Sequence, residues 1–280
     1  MPVCELRDGA AMAYADDGVG PAIVLVHGWA AHGGFFDGLS ERLRASHRVL
    51  VPNLRGHLGS AHGAVPLSIE TLGEDIAHFA ERLELDRFLA VGWSMGAMAL
   101  WAAAPLLGER LAGLIVEEMG PRITNDADWA FGIGGAYTPD DVGATLGEIE
   151  SDWPAYVGRL APRMFARSAS SDLVGWAAEE MAKADETAMA SFWASMAAQD
   201  FRQALGKIDA PTLVIRGAES AIHPEGATKF VARAARQGKH VVIPGAGHVP
   251  HLEAPDLFFE HVEAFARTAR GSDFLRGVGS

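Results

Sequence analysis

The chain has 280 residues, 49% hydrophobic and 21% charged, enough to fill one sizeable hydrophobic core. A formal net charge of −13 argues against a phosphate-binding surface, which needs clustered Lys and Arg, and against docking on anionic lipid. The single cysteine, Cys4, rules out an internal disulfide and a cysteine-based metal site, and fits a reducing, cytoplasmic setting. The N-terminus MPVCELRDGA has early charges and no apolar core, so it does not read as a signal peptide. The longest apolar run, Met95 to Leu107, contains Pro105 and is shorter than the about 20 residues that a membrane span needs. The expectation is a soluble cytoplasmic protein with no nucleic-acid or membrane partner. The sequence leaves oligomeric state open, a homodimer included.

In chain order, CELR and AMAYADD read as an antiparallel hairpin at a sheet edge. Strand and helix patterns then alternate: AIVLV (22–26), helix Phe36 to Ala45, RVLVP (48–52), helix Leu67 to Leu85, FLAVG (88–92), helix Met95 to Leu107, and LIVE (114–117). From about Arg122 to about Leu205 no strand is legible. TPDDVGATLGEIE, WPAYVGRLAPRMFA, SDLVGWAAEEMAKA and DETAMASFWASMAAQD read as helices, the first opened by Thr, Pro and two Asp. Alternation resumes with TLVIR (212–216), helix Gly226 to Gln237, HVVIP (240–244) and helix Asp256 to Arg267, and RGSDFLRGVGS reads as a frayed tail. Nearly continuous apolar strands separated by helices predict an α/β fold with a parallel sheet buried on both faces. The predicted division is 1–121 and 206–268 for the two parts of one α/β core, 122–205 for an all-helical insertion and 269–280 for the tail.

The stretch VGWSMGAMAL places Ser94 between Gly92 and Gly96 where a strand becomes a helix. Gly-x-Ser-x-Gly in that context is a nucleophile elbow: the turn is tight, side chains at the glycines would clash, and the hydroxyl stands above the sheet. The adjoining helix N-terminus favours a developing anion. A serine nucleophile needs a base, and VVIPGAGHVPHLEAP supplies His248 on the loop after a strand, at the same sheet edge. His251, three residues on, reads as a surface or helix-start histidine; His32, His57 and His62 read as polar surface or loop residues. VLVHGWAAHGG offers the backbone N–H of Trp29, which with that of Met95 would form an oxyanion hole. His27 would orient this loop.

GWSMG, HGW, LVPNLRGH and PGAGHVPHLEAP together resemble the α/β-hydrolase superfamily, over residues from about 10 to 267. The resemblance implies a mostly parallel central sheet flanked by helices, with the helical insertion as a cap roofing the site. HGWA and GWSMG are similar to small carboxylesterases of the carrier-protein methyl-ester type; HGW and PNLRGH are similar to cofactor-free ring-cleaving dioxygenases of the same fold. The resemblance also implies an Asp three residues after a glycine on the loop following TLVIR, but RGAESAIHP puts Ser220 there. Some relatives carry the acid one strand earlier, where VEEM offers Glu117 and Glu118. Strand alternation sends these two to opposite faces, so only one can reach His248. Glu118, nearer the strand exit, is the first choice, then Glu117, then Glu219. RGHLGS has Leu58 where the family usually has Gly, on a loop expected to face the site.

The insertion is rich in Trp, Phe, Tyr and Met; most should pack against the core, and some should line an apolar pocket floored by Trp29, Trp93 and Met95. Arg122, Arg159, Arg163 and Arg167 read mainly as solvated surface charges. The function expected is a serine hydrolase cleaving a carboxylic ester or lactone with an apolar, aromatic or medium acyl group. Ser94, His248 and Glu118 are catalytic, Trp29 and Met95 hold the oxyanion, and Trp93 and Trp29 contact substrate. No metal or organic cofactor is expected. The rival readings are a cofactor-free dioxygenase, a C–C bond hydrolase and a non-catalytic ligand receptor.

Overall fold

The apolar runs assemble into one eight-stranded sheet in a computed structural model that describes residues 1–274, with the side chains of 1–269. The strands are β1 (Val3–Glu5), β2 (Ala11–Asp17), β3 (Ala22–Val26), β4 (Arg48–Pro52), β5 (Phe88–Trp93), β6 (Leu111–Glu117), β7 (Thr212–Gly217) and β8 (Gly238–Ile243). Their order is β1-β2-β4-β3-β5-β6-β7-β8. β1 pairs antiparallel with β2, and β2 antiparallel with β4; every other pairing is parallel. β5 and β7 are buried at every residue, which is why they read as unbroken apolar runs.

Helices α1 (Asp37–Leu43), α2 (Ile69–Arg82) and α3 (Met95–Leu107) fall between the first strands. After β4 the chain crosses back over β3 to lay down β5. Such a reversal opens a crevice at the carboxyl ends of β3 and β5, the place where open α/β sheets bind ligands.

Between β6 and β7 run α4 (Pro139–Ser151), α5 (Trp153–Met164), α6 (Ser171–Met181) and α7 (Glu186–Ala198). α4 starts as its Thr-Pro-Asp-Asp cluster suggests: Pro139 opens the first turn, and the Asp141 carboxylate accepts the Thr138 N–H at 2.7 Å. α4 packs on α5 and α7, and α5 on α6. Polar bridges tie this segment to the sheet side: the Trp29 indole donates to the Met189 carbonyl at 2.9 Å, the Ile69 N–H to Ser195 Oγ at 2.9 Å, and His32 Nε2 lies 3.1 Å from Glu180 Oε2. The chain closes with α8 (Glu225–Ala234), the short α9 (Pro250–Glu253) and α10 (Pro255–Phe274).

α10 continues seven residues past the expected Arg267, to Phe274. The rest of the expected tail, 275–280, lies outside the described residues. Leu58 is 45% exposed and does not line the cavity described below, contrary to the expectation that its loop faces the site. Its φ is not positive either, since Gly56 and Gly59 take the left-handed turns on each side. No helix among the described residues is long and apolar enough to cross a membrane.

Candidate active site

Ser94 sits at φ 52°, ψ −119°, between the end of β5 and the start of α3. A non-glycine residue in this region is strained by roughly 1–3 kcal/mol, and the neighbouring elements must hold it there. They do so by close approach: a Cβ on Gly96 would lie 2.2 Å from the Val26 carbonyl oxygen, and one on Gly92 would lie 2.7 Å from the Ala97 backbone. The Ser94 N–H is anchored to the Glu117 carbonyl of β6 at 2.9 Å.

At the exit of β3, His27 is fully buried, with Nδ1 2.9 Å from the Gly28 carbonyl and Nε2 accepting the Leu54 N–H at 2.9 Å. Burial depresses its pKa well below the ordinary histidine value, so the ring is a neutral tie between two loops. The next turn carries Trp29, whose backbone N–H has no partner among the described residues, as is true of the Met95 N–H at the first position of α3. The Met95 side chain is fully buried and lies off the cavity, which corrects its expected place in the floor. The reason is its position on α3, where it packs into the core beneath the turn.

His248 is held on its loop from several directions. Its N–H donates to the Met164 carbonyl at 2.5 Å, and its carbonyl accepts the Trp93 indole N–H at 2.9 Å. Glu253 clamps the same loop, accepting the N–H of Gly247 at 2.8 Å and of Val249 at 3.2 Å, and ties it to the segment after α5 by accepting the N–H of Ala166 at 2.6 Å. Burial pushes the Glu253 carboxyl pKa up. No residue pattern had singled out Glu253; its position at the end of a one-turn helix next to Ala-Pro was the only local signal.

Glu118 and Glu117 are both completely buried. Glu118 Oε2 lies 3.3 Å from His248 Nδ1 and accepts the Ser220 hydroxyl at 2.7 Å, while Oε1 accepts the Gly217 N–H at 2.8 Å. Glu117 Oε1 accepts the His251 N–H at 2.9 Å, and both its oxygens lie 2.9 Å from His251 Nδ1. Two histidine–carboxylate couples therefore stand side by side, with the Trp93 ring packed against both imidazoles. His251 is 3% exposed, which corrects the surface reading; it does stand at a helix start, but Phe36 and Phe258 enclose its ring. Glu219 is exposed, and no hydrogen bond or ion pair joins its carboxylate to His248 among the described residues. His57 is also buried, against Phe192, whereas His62 is exposed and His32 half-buried.

Ser94 and His248 line one cavity of about 410 Å³, together with Trp29, Trp93, His223 and residues of α4, α5 and α7. No hydrogen bond joins the Ser94 hydroxyl to the imidazole among the described residues. Of the aromatic and methionine residues in the helical insertion, Tyr137, Tyr156, Met164, Met181, Trp193 and Met196 reach this cavity. Trp129, Trp153, Phe165 and Phe192 are buried in packing. Arg163 is the only one of the four candidate arginines on the cavity wall. No group of three or more His, Cys, Asp or Glu among the described residues is arranged to hold a metal ion.

Sheet order, elbow and cavity together are those of one enzyme superfamily, and a model of the alpha/beta hydrolase family matches residues 23–261: the chain belongs to this family. Over 253 residues it is 27% identical to the pimeloyl-[acyl-carrier protein] methyl ester esterase of Nitrosomonas europaea, covering 88% of this chain and 96% of that protein. Among solved structures, an esterase from Exiguobacterium antarcticum superposes with a TM-score of 0.89 at 22% identity, covering 95% of this chain and 98% of the other. A thermophilic esterase from Thermogutta terrifontis superposes with a TM-score of 0.84 at 25% identity, covering 96% and 99%.

Proposed function

We propose that this chain hydrolyses carboxylic esters through an acyl-enzyme on Ser94, with residues 122–205 acting as a cap over the site. The observation that carries the reading is the Glu118 carboxylate, which faces His248 Nδ1 and is held there by the Ser220 hydroxyl and the Gly217 N–H. A carboxylate so placed fixes the tautomer with Nδ1–H and leaves Nε2 free to serve as base. Ser220 stands where relatives would carry the acid, and here its hydroxyl orients the acid supplied from β6.

In the proposed reaction Ser94 Oγ attacks the ester carbonyl carbon as His248 Nε2 takes the hydroxyl proton. The tetrahedral oxyanion receives the N–H groups of Trp29 and Met95. The C–O bond to the alcohol breaks, and His248 returns the proton to the leaving oxygen. Water, deprotonated by His248, then attacks the acyl carbon, releasing the carboxylic acid and Ser94. Trp29 and Trp93 contact the substrate near the reacting carbon. A cavity of about 410 Å³ walled by Trp, Tyr and Met supports a medium or aromatic acyl group. The methyl ester esterases among the relatives support a carboxylic ester as the substrate class.

The test is covalent labelling by a fluorophosphonate, combined with release of p-nitrophenol from short and medium acyl esters. Labelling at Ser94, lost together with ester cleavage in Ser94→Ala, is expected. A folded, pure protein that takes up no label overturns the reading.

A further inference from the structure

His223 lies on the loop after β7, 2% exposed, and lines the cavity that holds Ser94 and His248. Its ring centroid is 5.5 Å from that of His248, with the planes inclined by 42°. Its Nδ1 is fully buried and has no hydrogen-bond partner among the described residues. A Cβ added at Gly120, on the segment after β6, would come 3.6 Å from Nδ1. The other nitrogen, Nε2, is not among the fully buried unpartnered atoms and makes no hydrogen bond among the described residues. Nδ1 is thus enclosed by protein, and Nε2 is the ring nitrogen that keeps some exposure on a residue lining the cavity.

The proton can be assigned. Burial, above all, lowers its pKa well below the ordinary histidine value and holds the ring neutral, so it carries a single N–H. Among backbone groups a buried N–H without a partner is rarer than a buried acceptor without one, and the same desolvation cost falls on an imidazole N–H. That argument favours the tautomer with the proton on Nε2, in which His223 presents a donor to whatever fills the cavity.

Sheet order indicates which part of a substrate that donor meets. Along the carboxyl edge come the loops of β3 with Trp29, β5 with Ser94, β6 with Glu118, β7 with His223 and β8 with His248. The oxyanion donors stand at one end and the two imidazoles at the other. His248 must pass its proton to the departing oxygen, so the alcohol portion of the ester lies beside it and within reach of its neighbour.

Resting on the acyl-transfer reading above, we propose that His223 is a specificity-determining residue: its Nε2–H donates to an oxygen acceptor on the alcohol portion of the substrate. The site then selects esters and lactones whose alcohol carries an ether or carbonyl oxygen a few bonds from the ester oxygen, over plain alkyl esters. A site built around a donor discriminates against a ligand that leaves the donor unpaired.

The experiment compares kcat/KM for 2-methoxyethyl butanoate and n-butyl butanoate, which differ by one ether oxygen in place of a methylene. The ratio of the two is read in the wild type, in His223→Phe and in His223→Gln, so intrinsic reactivity cancels. The wild type should favour the ether ester, the ratio should fall about five- to tenfold in His223→Phe, and His223→Gln, which keeps an N–H donor, should recover part of it. An enzyme that labels at Ser94 and cleaves both esters with the same ratio in all three forms overturns the assignment of His223 alone. A protein that neither labels nor cleaves overturns the acyl-transfer reading, and this inference with it.

Discussion

Glu118 carries a left-handed φ of 51°, unusual for a non-glycine residue, at the point where β6 ends. That turn separates two adjacent carboxylates that would otherwise be distinguished by strand alternation alone. A buried carboxylate must be hydrogen-bonded to be tolerated, and each of these has its own imidazole and its own backbone N–H. Glu118→Gln keeps the volume but can leave His248 in the wrong tautomer. It should lower kcat on p-nitrophenyl butanoate by roughly a hundredfold or more with little change in KM, while Glu219→Gln stays near wild type. Steady-state kinetics on the three proteins decide it; a silent Glu118→Gln beside an impaired Glu219→Gln sinks the assignment.

At the scale of elements, the loop after β4 is fastened by one guanidinium. Arg55 is 1% exposed; Nη1 and Nη2 bond Asp8 at 2.7 and 3.1 Å, and Nε and Nη2 bond Asp75 at 2.7 and 2.8 Å. Asp8 precedes β2 and Asp75 lies in α2, so the side chain ties hairpin, loop and helix together. The guanidinium beside Asp8 holds that carboxyl below the usual carboxylate range. Arg55→Met would leave the Asp75 carboxylate, whose side chain is 8% exposed, without its counter-charge. Removing one partner of a buried ion pair costs about 3 kcal/mol or more, and the urea midpoint should move down accordingly. An unchanged midpoint would show that the cluster is not holding these elements.

For the molecule as a whole, buried neutral imidazoles set the response to acid. His27 and His223 are held well below the ordinary histidine pKa, and His57 is lowered to about 4, in each case chiefly by burial. Below the unfolded-state pKa of about 6.5 the unfolded chain takes up protons that the folded chain refuses, so stability rises with pH between about 4 and 6.5 and is lost as pH falls through that window. His57 alone accounts for on the order of 3 kcal/mol across it, at about 1.4 kcal/mol per pH unit. Denaturation midpoints measured from pH 7 down to 4.5 should therefore fall steeply, and His57→Phe should flatten the slope. Parallel slopes for the two proteins would refute the contribution of His57.

What the sequence determined by itself was everything carried by neighbouring residues. Unbroken apolar runs such as AIVLV and TLVIR mark buried parallel strands, because a strand covered on both faces has no polar side to show. GWSMG announces its turn, because the steric demand at Gly92 and Gly96 arises within a few residues of Ser94. The tertiary structure alone decided which carboxylate meets which imidazole, since Glu118 lies 130 positions from His248 in the chain and only the juxtaposition of the β6, β7 and β8 loops brings them within 3.3 Å. The burial of His251 and His223 was hidden for the same reason: their enclosing partners, Glu117 and Phe36 for one and the cavity wall for the other, come from distant segments. Local pattern records what a residue's neighbours in the chain require, whereas burial and hydrogen-bond partnership depend on surfaces that meet only once the sheet has formed.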